Sequence, residues 1–280
     1  MTQPLVSSEQ DYSFEAFARH DFYQAVNRHL VDTVLDLCQQ SAGRIRHVLD
    51  LACGTGAVTR LLVDGIASRG MQAEVIGLDL SEVALEKARR IVGNGARFIT
   101  GAAESFAASV PRLDMVVFCN AIHLLEQKDA VVAQAREALN IDGLFAFNTT
   151  FFDGAYTPGT ERFYKLWMLR ALQRLKREHP NLKLDKTRAE AMHWLSPDDY
   201  RTLLERNGFV VECMEAEEVQ VSIDGWLDIS HYSMFAEGAL PGIPIEIGAA
   251  VLKDAVLQAL KELHAEFIPR TWLQVVARTA

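Results

Sequence analysis

The stretch Val48-Leu49-Asp50-Leu51-Ala52-Cys53-Gly54-Thr55-Gly56 holds the residues best spaced for chemistry, because an apolar run ends in an acid and then turns through two glycines. His47-Val48-Leu49 reads as a parallel strand covered on both faces, and Ala57 to Val63 has helical spacing behind the turn. Gly54 and Gly56 let the backbone pass close beneath a ligand with no Cβ in the way. A second acid, Asp79, ends the run Ala73-Glu74-Val75-Ile76-Gly77-Leu78 about 20 residues later, where a carboxylate can take both hydroxyls of a ribose. Two acids around a glycine turn suit a nucleoside that carries a cationic tail.

A dinucleotide site also uses a glycine turn, so the flanks have to decide. Its fingerprint needs a third glycine three residues after the second, and Thr59 stands there. Asp50 would repel a pyrophosphate but suits the ammonium of a methionine tail. S-adenosylmethionine is therefore the expected cofactor. Asp50, Ala52, Cys53, Gly54, Thr55 and Gly56 are expected around its tail, Asp79 on its ribose and Leu80 against its adenine. Ser81 then N-caps a helix, with Glu82 in its first turn. A third strand, Ala96 to Thr100, leads to Gly101-Ala102-Ala103-Glu104, and a fourth, Leu113 to Cys119, leads to Asn120-Ala121-Ile122-His123. Four strands alternating with helices imply a parallel sheet.

Earlier in the chain, Phe14 to Cys38 reads as a helix pair that brings Tyr23 over the cofactor. Later, Glu161 to Leu175 forms a helix apolar almost all round in its first half. Ser196-Pro197-Asp198-Asp199 starts another, Asn207-Gly208 stops it, and Phe209 to Cys213 follows as a strand. A second insertion runs through Trp226 to Tyr232, the Pro241-Gly242 turn and a long helix from about Ala249 to Phe267, before a last strand, Trp272 to Ala277.

With these segments in place the chain resembles the class I S-adenosylmethionine-dependent methyltransferases, and among them the small-molecule group that looks like the ubiquinone and menaquinone C-methyltransferases. The resemblance runs from Val48 to Phe209 and rests on L-D-L-A-C-G-T-G, I-G-L-D-L-S, G-A-A-E, F-C-N-A-I-H-L-L and a fifth strand, Gly143 to Asn148. It implies an α/β, Rossmann-like fold: a seven-stranded, mostly parallel sheet with an antiparallel last strand, N-terminal helices and a helical lid inserted after strand 5. The expected divisions are an N-terminal helical cap over 1–42, the cofactor-binding core over 43–150, the lid over 151–195, and the rest of the core with a second helical insertion over 196–280. The chain departs from the family at Ala52, where glycine is frequent, and at Ala102, where an aspartate commonly receives the adenine amino group. Glu104 or the Ala103 backbone is expected to take that task, and the Asn120 backbone is expected to steady the amine of the cofactor's tail.

The methyl of a sulfonium is already activated, so positioning and exclusion of water are the main requirements, and a base is needed only if the acceptor must lose a proton. His123, just past the fourth strand, is the first candidate base, with a structural role as its rival, and His231 is the second. His193 reads as a packing residue. Tyr12, Phe17, Phe151, Tyr164, Trp167 and Tyr232 are the expected walls of a hydrophobic acceptor pocket. The expected acceptor is a small, partly hydrophobic molecule of secondary or cofactor metabolism. Alternatives are an acyl group on a carrier protein and a cofactor-binding enzyme that does not methylate.

The 280 residues, 49% hydrophobic with a net charge of −9, suit one large enzyme domain and argue against nucleic acid as substrate. Against that charge, Glu161 to Glu190 holds nine basic and four acidic residues, a side that could greet an anionic substrate or an acyl carrier protein. No apolar run approaches a membrane span of roughly 20 residues, and the N-terminus lacks signal-peptide features, so the expected location is the cytoplasm. The four cysteines, Cys38, Cys53, Cys119 and Cys213, are far apart and read as reduced core residues. No metal is expected, because Asn120 and Asn148-Thr149-Thr150 stand where a catechol methyltransferase would place acids, with Asp153 the only near candidate.

Overall fold

The computed structural model describes residues 12–40, 45–185 and 194–280. His193 and three charged residues of the basic stretch, Lys186, Arg188 and Glu190, lie outside them.

Seven strands, β1 (His47–Leu51), β2 (Glu74–Asp79), β3 (Ala96–Thr100), β4 (Leu113–Cys119), β5 (Leu139–Thr149), β6 (Phe209–Ser222) and β7 (Phe267–Thr279), form one sheet in the order β3-β2-β1-β4-β5-β7-β6. β1 pairs in parallel with β2 and β4, β2 with β3, and β4 with β5, whereas β7 runs antiparallel to β5. This is the seven-stranded, mostly parallel Rossmann-like sheet expected from the sequence. Among the described residues the helices are α1 (Glu15–Ala18), α2 (Asp21–Gln40), α3 (Ala57–Ser68), α4 (Glu82–Val92), α5 (Lys128–Ala138), α6 (Glu161–Glu178), α7 (Pro197–Arg206), α8 (Ile223–His231), α9 (Ser233–Ala239) and α10 (Ile245–Leu263).

Alternate strand residues serve two apolar layers, which is why the parallel strands read as continuous apolar runs. Leu49, Leu51, Ile76, Val116, Phe118, Phe145 and Phe147 pack on the side of α5 and α7. Val48, Val75, Met115, Val117, Leu144 and Ala146 pack on the side of α2 and α3. The caps sit where local chemistry puts them. The Ser81 hydroxyl accepts the Ala84 N–H at the start of α4, and Ser196 and Asp199 close a capping box at the start of α7.

The chain divides into two compact units. One comprises the described residues of His20–Glu161, Met192–Val221 and Pro269–Ala280, and so holds α2 to α5 and nearly all of the sheet. The other comprises those of Met1–Arg19, Arg162–Ala191 and Ser222–Ile268. Its core is aromatic: Trp226 lies 5.0 Å from Phe163 and 5.5 Å from Trp167 between ring centroids, and the Trp167 indole N–H donates to the Leu252 carbonyl at 3.0 Å. The long last helix stops at Leu263 rather than near Phe267, because His264 takes a left-handed conformation at φ 50° and β7 begins three residues later.

Candidate active site

Parallel pairing brings the carboxyl ends of β1, β2, β4 and β5 to one edge of the sheet, and the candidate residues sit there. The turn after β1 uses three left-handed residues, Ala52 at φ 54°, Gly54 at φ 53° and Gly56 at φ 87°. Gly56 is obligatory on two grounds, since a Cβ there would also lie 3.0 Å from that of Ala88 on α4. The Cys53 N–H donates to the Leu78 carbonyl, and the Gly54 N–H donates to Asp79 Oδ2 at 2.8 Å. Asp79 Oδ1 accepts the Ser81 N–H at 2.9 Å. Each Asp79 oxygen thus accepts one backbone bond and keeps a lone pair for a ligand hydroxyl.

Asp50 is buried at 1% exposure, and the Thr59 hydroxyl donates to its Oδ2 at 2.6 Å. Burial pushes its carboxyl up to about 7, against the opposing Thr59 bond and with the Asp79 charge adding to the rise. The Thr59 that breaks the dinucleotide fingerprint is therefore a partner of the buried acid. Leu80 is 74% exposed and Val83 68%, an apolar step beside Asp79. A buried acid near neutrality, a carboxylate with spare lone pairs and an exposed leucine together fit S-adenosylmethionine; the expectation that Gly56 clears a ligand is corrected, since its Cβ would meet Ala88 and Val92 of α4, while one at Gly54 would meet no protein atom. The Cys53 thiol is buried and pushed up by that burial and by the two aspartates, which favours its protonated form. Thr55 is half-buried in the turn, Ala103 is half-buried and Glu104 exposed at the head of a 3-10 turn, Ala103–Ser109.

Beyond β4, Asn120 takes φ 53° and anchors a polar cluster. Its side-chain amide donates to the Tyr23 hydroxyl at 3.2 Å and to Asn27 Oδ1 at 3.1 Å, and its Oδ1 accepts the Trp272 indole N–H at 2.9 Å. Asn148 donates to the same Asn27 oxygen and accepts the Asn120 N–H. Tyr23 and Asn120 are thus bonded directly, and both share a cluster with Asn27 and Trp272, which no local pattern in the sequence marks. Burial holds the Tyr23 phenol protonated.

Next to this cluster, His123 sits on a 3-10 turn, Ile122–Leu124, with Nδ1 3.1 Å from the Thr149 hydroxyl and its ring 4.2 Å from that of Phe151. Burial, then the charges of Lys128 and Arg270, push the imidazole down to about 3. At neutral pH it is uncharged and a weak base. Arg270 on β7 is 6% exposed; its Nε and Nη2 donate to Thr150 Oγ1 and O, both at 2.7 Å, and its guanidinium carbon lies 5.0 Å from the Phe151 ring centre. No pattern in the sequence marks Arg270 or Lys128, because a single basic residue in a strand or at a helix start carries no periodic signal.

The remaining candidates belong to the other unit. Tyr12 and His231 have ring centroids 4.6 Å apart, and Phe14 lies 5.1 Å from both Phe17 and Tyr232. Tyr164 packs 5.8 Å from Trp226, while Trp167 is 2% exposed and is a core residue of that unit. The basic face of α6 is largely engaged: Arg170 pairs with Glu262, Arg174 with Asp254 and Glu178, and Arg177 with Glu178.

Residues 48–143 match the family described as a methyltransferase domain. A malonyl-[acyl-carrier protein] O-methyltransferase of Geobacter sulfurreducens is 28% identical over 212 residues, 74% of this chain and 72% of that protein. Among solved structures, a putative sarcosine dimethylglycine methyltransferase from Galdieria sulphuraria has a TM-score of 0.55 at 15% identity, over 95% of this chain and 96% of that one. A putative methyltransferase from Bacillus halodurans has a TM-score of 0.54 at 17% identity, over 88% and 97%.

Proposed function

We propose that this chain, which belongs to the class I S-adenosylmethionine-dependent methyltransferases, methylates a small, partly hydrophobic acceptor at the carboxyl ends of β4 and β5. The observation that carries the cofactor site is the pairing of buried Asp50 with the Asp79-braced glycine turn, beside exposed Leu80. Asp50, Ala52, Cys53, Gly54, Thr55 and Gly56 hold the amino-acid tail, Asp79 the ribose, and Leu80, Ala103 and Glu104 the adenine. Asn120, oriented by Tyr23, Asn27 and Trp272, presents its backbone to the tail's amine. The bound cofactor supplies an electrophilic methyl on a sulfonium, and the protein's share is to align the acceptor and keep water out. His123 and Phe151 face the acceptor.

A second reading, an acyl group on a carrier protein as the acceptor, is favoured by the name of the Geobacter relative. Calorimetry with S-adenosylhomocysteine, with NADH as control, tests the cofactor assignment. Binding of the first alone is expected, with Asp79→Ala weakening it more than about tenfold, the worth of one charged hydrogen-bonding partner. Equal affinity in the variant would remove Asp79 from the ribose.

A further inference from the structure

Thr149 fixes the tautomer of His123. Its hydroxyl oxygen is buried, accepts the Phe151 N–H at 3.0 Å and lies 3.1 Å from His123 Nδ1. If Nδ1 carried the proton, the hydroxyl would accept twice and its own O–H would have no acceptor among the described residues, a costly state for a buried group. The satisfied arrangement has the Thr149 O–H donating to Nδ1. That leaves the single imidazole proton on Nε2, which meets no partner among the described residues, on a side chain that is partly exposed.

Three further features lie near His123. Phe151 touches the imidazole on one side of the cluster and the Arg270 guanidinium on another, at 4.2 Å and 5.0 Å from its ring centre. Tyr156 and Trp194 lie 5.5 Å and 6.0 Å from the same guanidinium, so the charge sits among aromatic faces where water screens it weakly. Lys128, half-buried, donates to the Leu125 carbonyl at 2.7 Å, and its charge acts on His123 together with that of Arg270. Two cations oppose protonation of the imidazole, which suits a neutral donor and disfavours a general base. Their field and the Nε2–H have the same natural complement, a negatively charged oxygen.

We propose that His123, Lys128 and Arg270 form a carboxylate subsite, in which Nε2 of His123 donates to the acceptor's carboxylate, the two cations supply the counter-charge, and Phe151, Tyr156 and Trp194 receive its apolar part. The proposal rests on the methyltransferase reading and names the substrate class of that site. His123 becomes a binding residue, and an anionic handle joins the expected hydrophobic character of the acceptor.

The test uses the full chain saturated with S-adenosylhomocysteine and two isosteric probes, phenylacetate and phenylacetamide, titrated by calorimetry. Phenylacetate is expected to bind at least tenfold tighter. Arg270→Met and His123→Phe should each remove most of that preference, and His123→Gln, which keeps a donor, should restore it relative to His123→Phe. Long-range nitrogen–proton NMR of the imidazole should show the Nε2–H tautomer from pH 5 to 8. Equal binding of the two probes to the parent protein, or an Nδ1–H tautomer, overturns the subsite. Because the cofactor product is titrated first, its failure to bind would count against the methyltransferase reading, whereas its binding with no preference between probes counts against the carboxylate subsite alone. Should Arg270→Met fail to fold, the probe pair on the parent and the two His123 variants still decide.

Discussion

Asp50 is the residue whose chemistry depends most on what surrounds it. Its native carboxyl is pushed up to about 7 by burial, while an unfolded aspartate ionises near 4. Between these values the native state holds a proton that the unfolded chain has lost, so this group's contribution to stability falls as pH rises from about 4 to about 7 and is level above. A cation placed against it reverses the preference, since ionised Asp50 is then the favoured form. Binding of S-adenosylhomocysteine, whose tail carries an ammonium, should therefore release close to one proton at pH 6 and strengthen as pH rises to about 7. Calorimetry at pH 6 in two buffers of different ionisation enthalpy measures the release directly. Thr59→Val removes the 2.6 Å hydroxyl bond that opposes the rise, and should move the pH at which affinity levels off upward. No proton exchange, with affinity flat from pH 5.5 to 8, would show that Asp50 does not meet the ammonium.

The elements that carry the site are held by close packing of helix on turn. Gly56 begins α3 at φ 87°, and an added Cβ would meet Ala88 Cβ at 3.0 Å and Val92 Cγ2 at 3.1 Å on α4. Gly56→Ala thus combines a left-handed penalty of about 1–2 kcal/mol with displacement of α4. A melting temperature lower by several degrees and weakened S-adenosylhomocysteine binding are expected; a variant matching the parent in both would mean that the turn is not constrained as described. This turn was legible in the sequence because its glycines, Asp50 and the two-faced strand all lie within ten residues. The caps of α4 and α7 were legible for the same reason. The surroundings of Asn120 and His123 were less so. Arg270 bonds Thr150 across 120 positions and Trp272 bonds Asn120 across 152, distances at which no periodicity operates. Strand β6 runs on to Ser222, well past Cys213, through Met214-Glu215-Ala216-Glu217-Glu218, whose acids disfavour strand but suit its place at the sheet edge.

At the scale of the whole molecule, charge separates the two readings of the acceptor. The chain carries −9, and docking of an acidic carrier protein would need a local positive field against that background. Helix α6 has the basic residues, but Arg170 is bidentate to Glu262, and Arg174 and Arg177 meet Asp254 and Glu178. Paired charges of this kind contribute about 0–1 kcal/mol to stability and offer little net field beyond a Debye length of about 10 Å. Arg162 and Lys165, exposed on the first turns of α6, are the better test of docking. If the acceptor is a free small molecule, turnover of a free acyl thioester should match that of the same acyl group on a carrier protein within about tenfold, and should change little between low and high salt. Arg162→Glu with Lys165→Glu should then leave both rates near the parent's. A carrier preference of more than about a hundredfold that collapses with salt, and with this pair of substitutions, would instead establish the carrier-bound acyl group as the acceptor, because only a desolvated, charge-steered interface loses affinity in both ways.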